Sequence, residues 1–163
     1  MGRVLYTVVP SPVGDLLLLG DGQAITALGR AASSDHPAGA SPPPGASRDG
    51  AAFRAAAAQL RAYFAGELRH FDVPVAPRGT PFQHEVWAAL REIPYGETTS
   101  YGALALSLGR PLGAARAVGA ANARNPILIL IPCHRVLGTD GALRGYAGSL
   151  PVKRALLARE QVA

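Results

Sequence analysis

One stretch, residues 127–136, limits what this chain can fold into more than any other. It reads Ile-Leu-Ile-Leu-Ile-Pro-Cys-His-Arg-Val and contains five consecutive apolar residues, a proline and the only cysteine of the 163-residue chain. Such a run is typical of a rigid core segment, which here would carry Cys133 at its end. Because a base and a cation follow directly, the thiol is either a reactive nucleophile or, like most lone cysteines beside Ile and Leu, a small core residue.

Composition narrows the class of protein and its compartment. With 48% hydrophobic residues, the chain can form one core or two small lobes. No segment reaches the roughly 18 consecutive apolar residues of a membrane span, and the first residues do not begin a signal peptide. One cysteine excludes an internal disulfide framework and a Cys-based zinc site, and the four histidines lack metal-ligand spacing. We therefore expect a cytoplasmic protein that binds no metal.

The charge balance is basic, with 16 Lys and Arg residues against 11 Asp and Glu residues. All but one of these cations are arginine, the side chain best suited to phosphate recognition. A GC-rich genome would also favour Arg over Lys, so charge alone leaves nucleic-acid binding open.

The first half of the chain predicts a small antiparallel sheet with a helix packed on it. The helix is Ala-rich and covers residues 51–64. Asp21-Gly22 supplies the positive φ of a tight hairpin turn between two strands. The segments with the apolar pattern of strands are residues 4–9, 15–19 and 24–28.

Two segments of this half have weaker signals. Residues 31–50 are rich in Pro, Gly and Ser and predict a flexible loop. Residues 71–75 predict a short strand or an extended linker. We place the domain boundary at Gly79, which gives a structural sheet-and-helix domain over 1–79 and a second domain over 80–163.

The second half predicts helices with clear start signals. Residues 80–83, Thr-Pro-Phe-Gln, combine an N-cap threonine with a proline in the first turn and a glutamine that completes a capping box. Ser100 can cap a second helix, and residues 114–124 predict a third. The last two helices flank a glycine-containing turn, as in a helix-turn-helix, although any αα-hairpin gives the same pattern.

The second helix of this pair is built almost entirely from small residues. Arg116 and Asn122 are its only long polar side chains before Arg124. A helix that reads base edges in the major groove carries several Arg, Asn or Gln residues. The pattern therefore favours either close approach to a nucleic-acid backbone without sequence readout, or tight packing inside a core.

Several motifs of the second half together match one family. They are Pro-Tyr-Gly-Glu-Thr-Thr-Ser-Tyr (94–101), Arg-Ala-Val-Gly (116–119), Asn-Pro (125–126), Pro-Cys-His-Arg-Val (132–136) and Gly-Tyr-Ala-Gly (145–148). With them the chain resembles the O6-alkylguanine-DNA alkyltransferases over about half of its length. The resemblance implies direct reversal of O6-alkylguanine, and of O4-alkylthymine, in double-stranded DNA. The alkyl group would pass irreversibly to Cys133, once per molecule and without a cofactor.

The resemblance also implies roles for individual residues. Cys133 is the nucleophile, His134 a base that acts through a water molecule, and Glu160 the carboxylate that orients the imidazole. Arg116 fills the space left by a flipped base. The substrate-binding residues implied are Tyr101, Asn125, Val136, Tyr146 and Ala147. The residues implied at the DNA surface are Ala115, Arg116, Gly119, Asn122, Arg124 and Arg135, the last of which also suits an ion pair.

Two other classes of protein stay as alternatives. A non-catalytic lesion-binding protein of the alkyltransferase-like type would share the DNA-binding domain but resembles this family with tryptophan in place of the cysteine. A Cys-His hydrolase needs a histidine remote in sequence, whereas His134 directly follows Cys133. We expect an α/β protein with a small N-terminal sheet lobe and a mainly helical C-terminal lobe. It should be a monomer that binds DNA and no membrane.

Overall fold

The computed structural model describes residues 3–32, 39–138 and 149–161. The chain forms two units, residues 1–77 and 78–163. The first contains a sheet and a helix and the second is mainly helical, so the α/β class expected from the sequence is confirmed. None of the helices in the described ranges is long and apolar enough to cross a bilayer.

The first unit is built on a four-stranded sheet. Its strands are β1 (Leu5–Val9), β2 (Leu16–Gly20), β3 (Ile25–Arg30) and β4 (Ser47–Arg48), in the spatial order β3-β2-β1-β4. The pairs β1–β2 and β2–β3 are antiparallel, as predicted. Asp21 holds the turn between β2 and β3, because its carboxylate accepts hydrogen bonds from the N–H groups of Gln23 and Ala24 at 2.8 and 2.9 Å. Gly22 supplies the positive φ, +92°, that this turn requires.

The edge strand β4 differs from the prediction. It lies within residues 31–50, which the sequence assigned to a flexible loop, and it runs parallel to β1. Ser47 N–H donates to the carbonyl of Val4 at 3.0 Å, and Asp49 N–H donates to that of Tyr6 at 2.9 Å. Both residues of the strand have exposed side chains, so no apolar pattern marks it in the sequence.

A short 3-10 turn leads from the sheet into helix α1. The turn covers Gly50–Phe53, and the carboxylate of Asp49 caps it by accepting a hydrogen bond from Ala52 N–H at 3.2 Å. Helix α1 covers Arg54–Phe64 and buries Leu60 and Tyr63 completely. The helix predicted over residues 51–64 is therefore present, with its first turn wound more tightly.

The second unit carries the elements that position the candidate site. They are α2 (Pro81–Leu90), β5 (Thr99–Ser100), α3 (Tyr101–Ser107), α4 (Ala115–Ala123), β6 (Val136–Leu137) and α5 (Leu150–Gln161). Helices α3 and α4 form the predicted helix-turn-helix, with a 3-10 turn just before α4. Strands β5 and β6 pair in parallel, which places the end of the cysteine segment beside the start of α3.

Two of the predicted helix starts are confirmed in atomic detail. Thr80 Oγ1 accepts a hydrogen bond from Gln83 N–H at 3.1 Å, and Gln83 Oε1 accepts one from Thr80 N–H at 3.0 Å. Ser100 Oγ caps α3 by accepting from Ala103 N–H at 3.0 Å. Buried Trp87 then ties α2 to α4, because its indole N–H donates to the carbonyl of Ala121 at 2.9 Å.

Removing the capping box should weaken the second unit measurably. Thr80→Ala deletes one acceptor at an exposed helix start, so we expect the free energy of unfolding to fall by about 1 kcal/mol. Thr80→Ser keeps the hydroxyl and should stay within about 0.5 kcal/mol of the parent. Urea unfolding followed by circular dichroism measures both changes. Equal losses in the two variants would mean that the threonine methyl, and not the cap, stabilises α2.

Candidate active site

The apolar run before the cysteine folds into a tight turn with every side chain buried. Residues 127–131 are at most 6% exposed. The side chain of Asn125, just after α4, holds this turn at both ends. Its Oδ1 accepts from Ile127 N–H at 2.9 Å, and its Nδ2 donates to the carbonyls of Ile127 at 3.2 Å and Ile131 at 2.8 Å. An asparagine followed by a proline is typical of such side-chain-closed turns.

The cysteine begins a 3-10 turn, Cys133–Arg135, directly after Pro132. Cys133 is fully buried, and its carbonyl accepts a hydrogen bond from the side-chain amide of Asn122 at 3.2 Å. Asn122 lies on the buried face of α4. The backbone that carries the thiol is therefore attached to the second helix of the helix-turn-helix.

The two residues after the cysteine converge on one carboxylate from α5. His134 Nε2 lies 2.6 Å from Glu160 Oε2, and Arg135 Nε lies 2.7 Å from Glu160 Oε1. Arg135 makes a second bond to Oε2 at 3.1 Å and also donates to the carbonyl of Ile93 at 2.7 Å. All three side chains of this cluster are at least nine-tenths buried. Glu160 is thus an ionised acceptor that fixes both neighbours.

Burial decides the protonation state of the histidine. It lowers the pKa of His134 below the usual 6.5, and the hydrogen bond and negative charge of Glu160 oppose that shift only in part. The imidazole is therefore neutral at pH 7, with its proton on Nε2 because the carboxylate can only accept. Nδ1 is left as an acceptor, is buried, and has no hydrogen-bond partner among the described residues. A group of this kind can take a proton from a nearby thiol through a water molecule.

Lys153 is a charged residue of the site to which the sequence analysis gave no role. Its side chain is fully buried, and its ammonium donates to the carbonyl of Val136 at 2.7 Å. Burial lowers the pKa of Lys153 from 10.5 to about 8, while a Cys133 thiolate would attract its charge and raise it. The signal was present in the sequence, because Lys153 is the only lysine among 16 Lys and Arg residues.

The outer face of α4 is exposed and carries two cations. Arg116, Ala120 and Arg124 are four residues apart and are all exposed, whereas Val118 and Asn122 on the other face are buried. Residues four apart lie on one side of a helix. One helix therefore presents guanidinium groups outward and holds the cysteine segment on its inner side.

The net charge of the protein belongs entirely to this unit. Ten of the 16 Lys and Arg residues, but only five of the 11 Asp and Glu residues, lie in 78–163. The difference equals the net charge of +5, and residues 1–77 are neutral. A basic surface on the unit with the helix-turn-helix is typical of a DNA-binding protein.

The remaining residues singled out from the sequence fall into three groups. Tyr101 begins α3 and is buried, and a Cβ at Gly119 would lie 3.7 Å from its ring, so these two residues pack closely. Asn122 and Arg135, assigned to the DNA surface, instead have buried side chains bonded to Cys133 and Glu160. Tyr146 and Ala147 lie outside the described residues.

The structure thus brings together Cys133, His134, Glu160, Asn125 and Val136, and leaves Arg116 and Arg124 at the surface.

Within the described ranges, no group of three or more His, Cys, Asp and Glu side chains is placed to hold a metal ion. The polar atoms of the cluster bond to one another instead, as Glu160 does to His134 and Arg135.

Comparison with known protein families agrees with this architecture. Residues 81–162 match the DNA-binding domain of 6-O-methylguanine DNA methyltransferase, and residues 4–77 match its ribonuclease-like domain. Together the two matches span nearly the whole chain. The chain belongs to the 6-O-methylguanine DNA methyltransferase family.

Individual relatives are similar over almost their full length. The methylated-DNA–protein-cysteine methyltransferase of Mycobacterium bovis is 51% identical over 158 residues, which cover 96% of this chain and 92% of the relative. That of Methanosarcina acetivorans is 48% identical, with 95% and 97% covered. A crystal structure of Mycobacterium tuberculosis OGT in complex with DNA has a TM-score of 0.87 at 49% identity, and covers 98% of this chain and 94% of that one.

The buried neutral histidine predicts a pH dependence of stability. The folded protein holds His134 neutral, whereas the unfolded chain protonates it below about pH 6.5. The unfolded state then binds more protons, so the free energy of unfolding should fall as pH drops from 6.5, by up to about 1.4 kcal/mol per pH unit. We expect urea unfolding at several pH values to show that the free energy of unfolding changes less steeply with pH in His134→Gln than in the parent. Equal dependence on pH in the two proteins would mean that His134 titrates alike in the folded and unfolded states.

Proposed function

We propose that this protein repairs double-stranded DNA by transferring the alkyl group from O6 of guanine, and from O4 of thymine, to Cys133. The observation that carries the proposal is the position of the thiol. Cys133 is buried and directly precedes a buried, neutral histidine, on a turn attached to the inner face of a helix whose outer face carries Arg116 and Arg124. Family membership and the relatives that act on methylated DNA support the same reaction.

The proposed chemistry needs only the residues of the cluster. Sulfur attacks the alkyl carbon, a C–S bond forms, and the bond from that carbon to O6 breaks. The thiol proton leaves through a water toward Nδ1 of His134, the departing guanine anion takes up one proton from water, and His134 returns its proton to water, so that the histidine ends neutral. Glu160 keeps Nδ1 as the acceptor by bonding Nε2, and Arg135 keeps Glu160 ionised.

Magnitudes indicate where most of the acceleration arises. A cysteine with a pKa of about 8.5 is already a few per cent thiolate at pH 7. Complete ionisation therefore adds a few tens-fold at most, about 2 kcal/mol. Holding the sulfur in line with the carbon can contribute several times more. We therefore assign the larger part of catalysis to the backbone turn that aims Cys133.

The product state explains why we propose a single turnover. A thioether at Cys133 is chemically stable, and no step of the proposed reaction regenerates the thiol. The protein would need no cofactor, because the attacking group, the base and its orienting carboxylate all belong to one chain. For the same reason we propose that a monomer suffices, and that it works in the reducing cytoplasm, where its thiol stays free.

DNA binding is assigned to the outer face of α4 and its surroundings. We propose that Arg116 enters the base stack when the lesion flips out, with Ala115 and Gly119 small enough to let the backbone approach. Arg124 is proposed to contact a phosphate. We assign Asn122 and Arg135 to support of the active site, since their side chains are buried there.

The lesion pocket is proposed to lie between the cysteine and α3. Tyr101 would contact the guanine and the adjacent phosphate, and Val136 would line the pocket beside the thiol. Asn125 would act indirectly, by holding the turn. Tyr146 and Ala147 keep the roles that the family resemblance implies, a pocket wall and a main-chain donor to O6. A non-catalytic lesion binder is disfavoured because the acceptor position holds Cys133.

Replacing the thiol should separate chemistry from binding. We expect Cys133→Ala to lose alkyl transfer completely while its Kd for lesion DNA changes by less than about threefold, or about 0.7 kcal/mol, because a buried sulfur offers little contact area. Incubation with DNA that carries radiolabelled O6-methylguanine, followed by mapping of the labelled peptide, tests the assignment. Label that still reaches the variant would assign the acceptor to another residue.

Arg116 allows flipping to be separated from the transfer step. Extruding a base costs a few kcal/mol, so Arg116→Ala should slow repair of duplex DNA by roughly 10- to 100-fold. Free O6-benzylguanine needs no flipping, and its reaction with Cys133 should be unchanged. Arg124→Ala, which removes the same charge two turns away, is the matched control and should weaken duplex binding without this selective loss. Equal loss with both substrates in Arg116→Ala would assign Arg116 to the fold.

A further inference from the structure

The backbone before the cysteine contains a strained turn. Ile129 has φ +71° and is the one non-glycine residue with positive φ in the part of the chain that the structure describes. The N–H of Leu130 donates to the carbonyl of Leu128 at 2.7 Å, across this single residue. These are the features of a γ-turn with positive φ, a rare and strained conformation. A β-branched side chain makes that φ still less favourable.

A second turn of opposite sign follows three residues later. Pro132 has φ −80° and ψ 63°, and Cys133 N–H donates to the carbonyl of Ile131 at 2.7 Å. This is an inverse γ-turn, which proline adopts readily. The direction in which Cys133 leaves the segment therefore depends on two consecutive bends. Only the first of them, at Ile129, opposes the local preference of its residue.

The strain at Ile129 is maintained by the surroundings. Its side chain is 3% exposed, so leaving the turn would withdraw a buried apolar group from the core. Asn125 fixes the carbonyls on either side, those of Ile127 and Ile131. Ile131 N–H also donates to the carbonyl of Ile127 at 3.2 Å, which closes the five-residue loop.

We propose that Ile129 is a positioning residue for alkyl transfer, which acts by holding the γ-turn that aims Cys133. The proposal rests on the proposed role of Cys133 as acceptor. Burial of the isoleucine side chain stabilises a backbone path that the residue would otherwise leave. The thiol is thereby held at one place by the path of its own backbone.

The proposal predicts an unusual order among truncated variants. Ile129→Ala keeps the unfavourable Cβ but loses the buried anchor, so the turn should relax and the sulfur should move. Ile129→Gly loses the same anchor but has no Cβ to oppose positive φ, so Asn125 can still hold the turn. We therefore expect the glycine variant to outperform the alanine variant, although glycine is normally the more damaging of the two.

The experiment compares transfer rates and melting temperatures in the full-length protein. With free O6-benzylguanine at 25 °C, Ile129→Ala should react at least about tenfold more slowly than the parent, and Ile129→Gly within about threefold of it. The Tm of Ile129→Gly should exceed that of Ile129→Ala by about 2 °C. Reaction of Cys133 with iodoacetamide, which needs no in-line pocket, should not slow in Ile129→Ala. Ile129→Val, which is also β-branched, should keep the parent rate.

Leu130 provides the matched control, because it is 4% exposed and lies in the same run without positive φ. There the usual order should hold, with Leu130→Ala about 2 °C more stable than Leu130→Gly. The same order at both positions, or failure of both Ile129 truncations to fold, would overturn the proposal and assign Ile129 to packing alone. Absence of transfer in the parent protein would instead overturn the function proposed for Cys133, which the order of Tm values does not involve.

Discussion

The site depends on two amide side chains at the end of one helix. Asn122 and Asn125 lie on the inner side of α4 or just beyond it, and hydrogen bonds from their side chains go to the backbone around the cysteine. A buried backbone group that loses its partner costs about 1–3 kcal/mol. Neither the turn nor the position of Cys133 could survive a large shift of α4. A displacement of α4 is therefore transmitted directly to Cys133.

The charged cluster holds the residues that follow the cysteine from a different helix, α5. Glu160 reaches from α5 to both His134 and Arg135, so the two residues after the cysteine are held by a separate element. Burial would make an isolated carboxylate costly, but the bidentate arginine compensates its charge. The result is a neutral histidine of defined tautomer, which is the state that a base near pH 7 requires.

The sequence predicted those features that arise from local chemistry. Thr80, Ser100 and Asp21 mark their helix starts and turn because short polar side chains bond nearby backbone N–H groups. The motif around Cys133 predicted a nucleophile and its neighbours through family resemblance, and these roles stay predictions. The positive φ of Ile129 was not predictable, because an apolar β-branched residue disfavours it and only the packed surroundings enforce it. The parallel pairing of β5 with β6 was missed for a similar reason, since strands of two residues carry no periodic pattern.

The burial of Lys153 has a practical consequence for chemical probing of this protein. It is the only lysine of the chain, and its side chain has no exposed surface. Acylating reagents directed at ε-amines therefore find no target on the folded surface and can modify the side chain only when the site opens. Burial is what lowers the pKa of Lys153 to about 8, so an opening that admits water returns this pKa toward 10.5, and labelling needs an alkaline pH. The extent of lysine acylation would thus be a single-residue measure of how often the interior around Val136 becomes accessible.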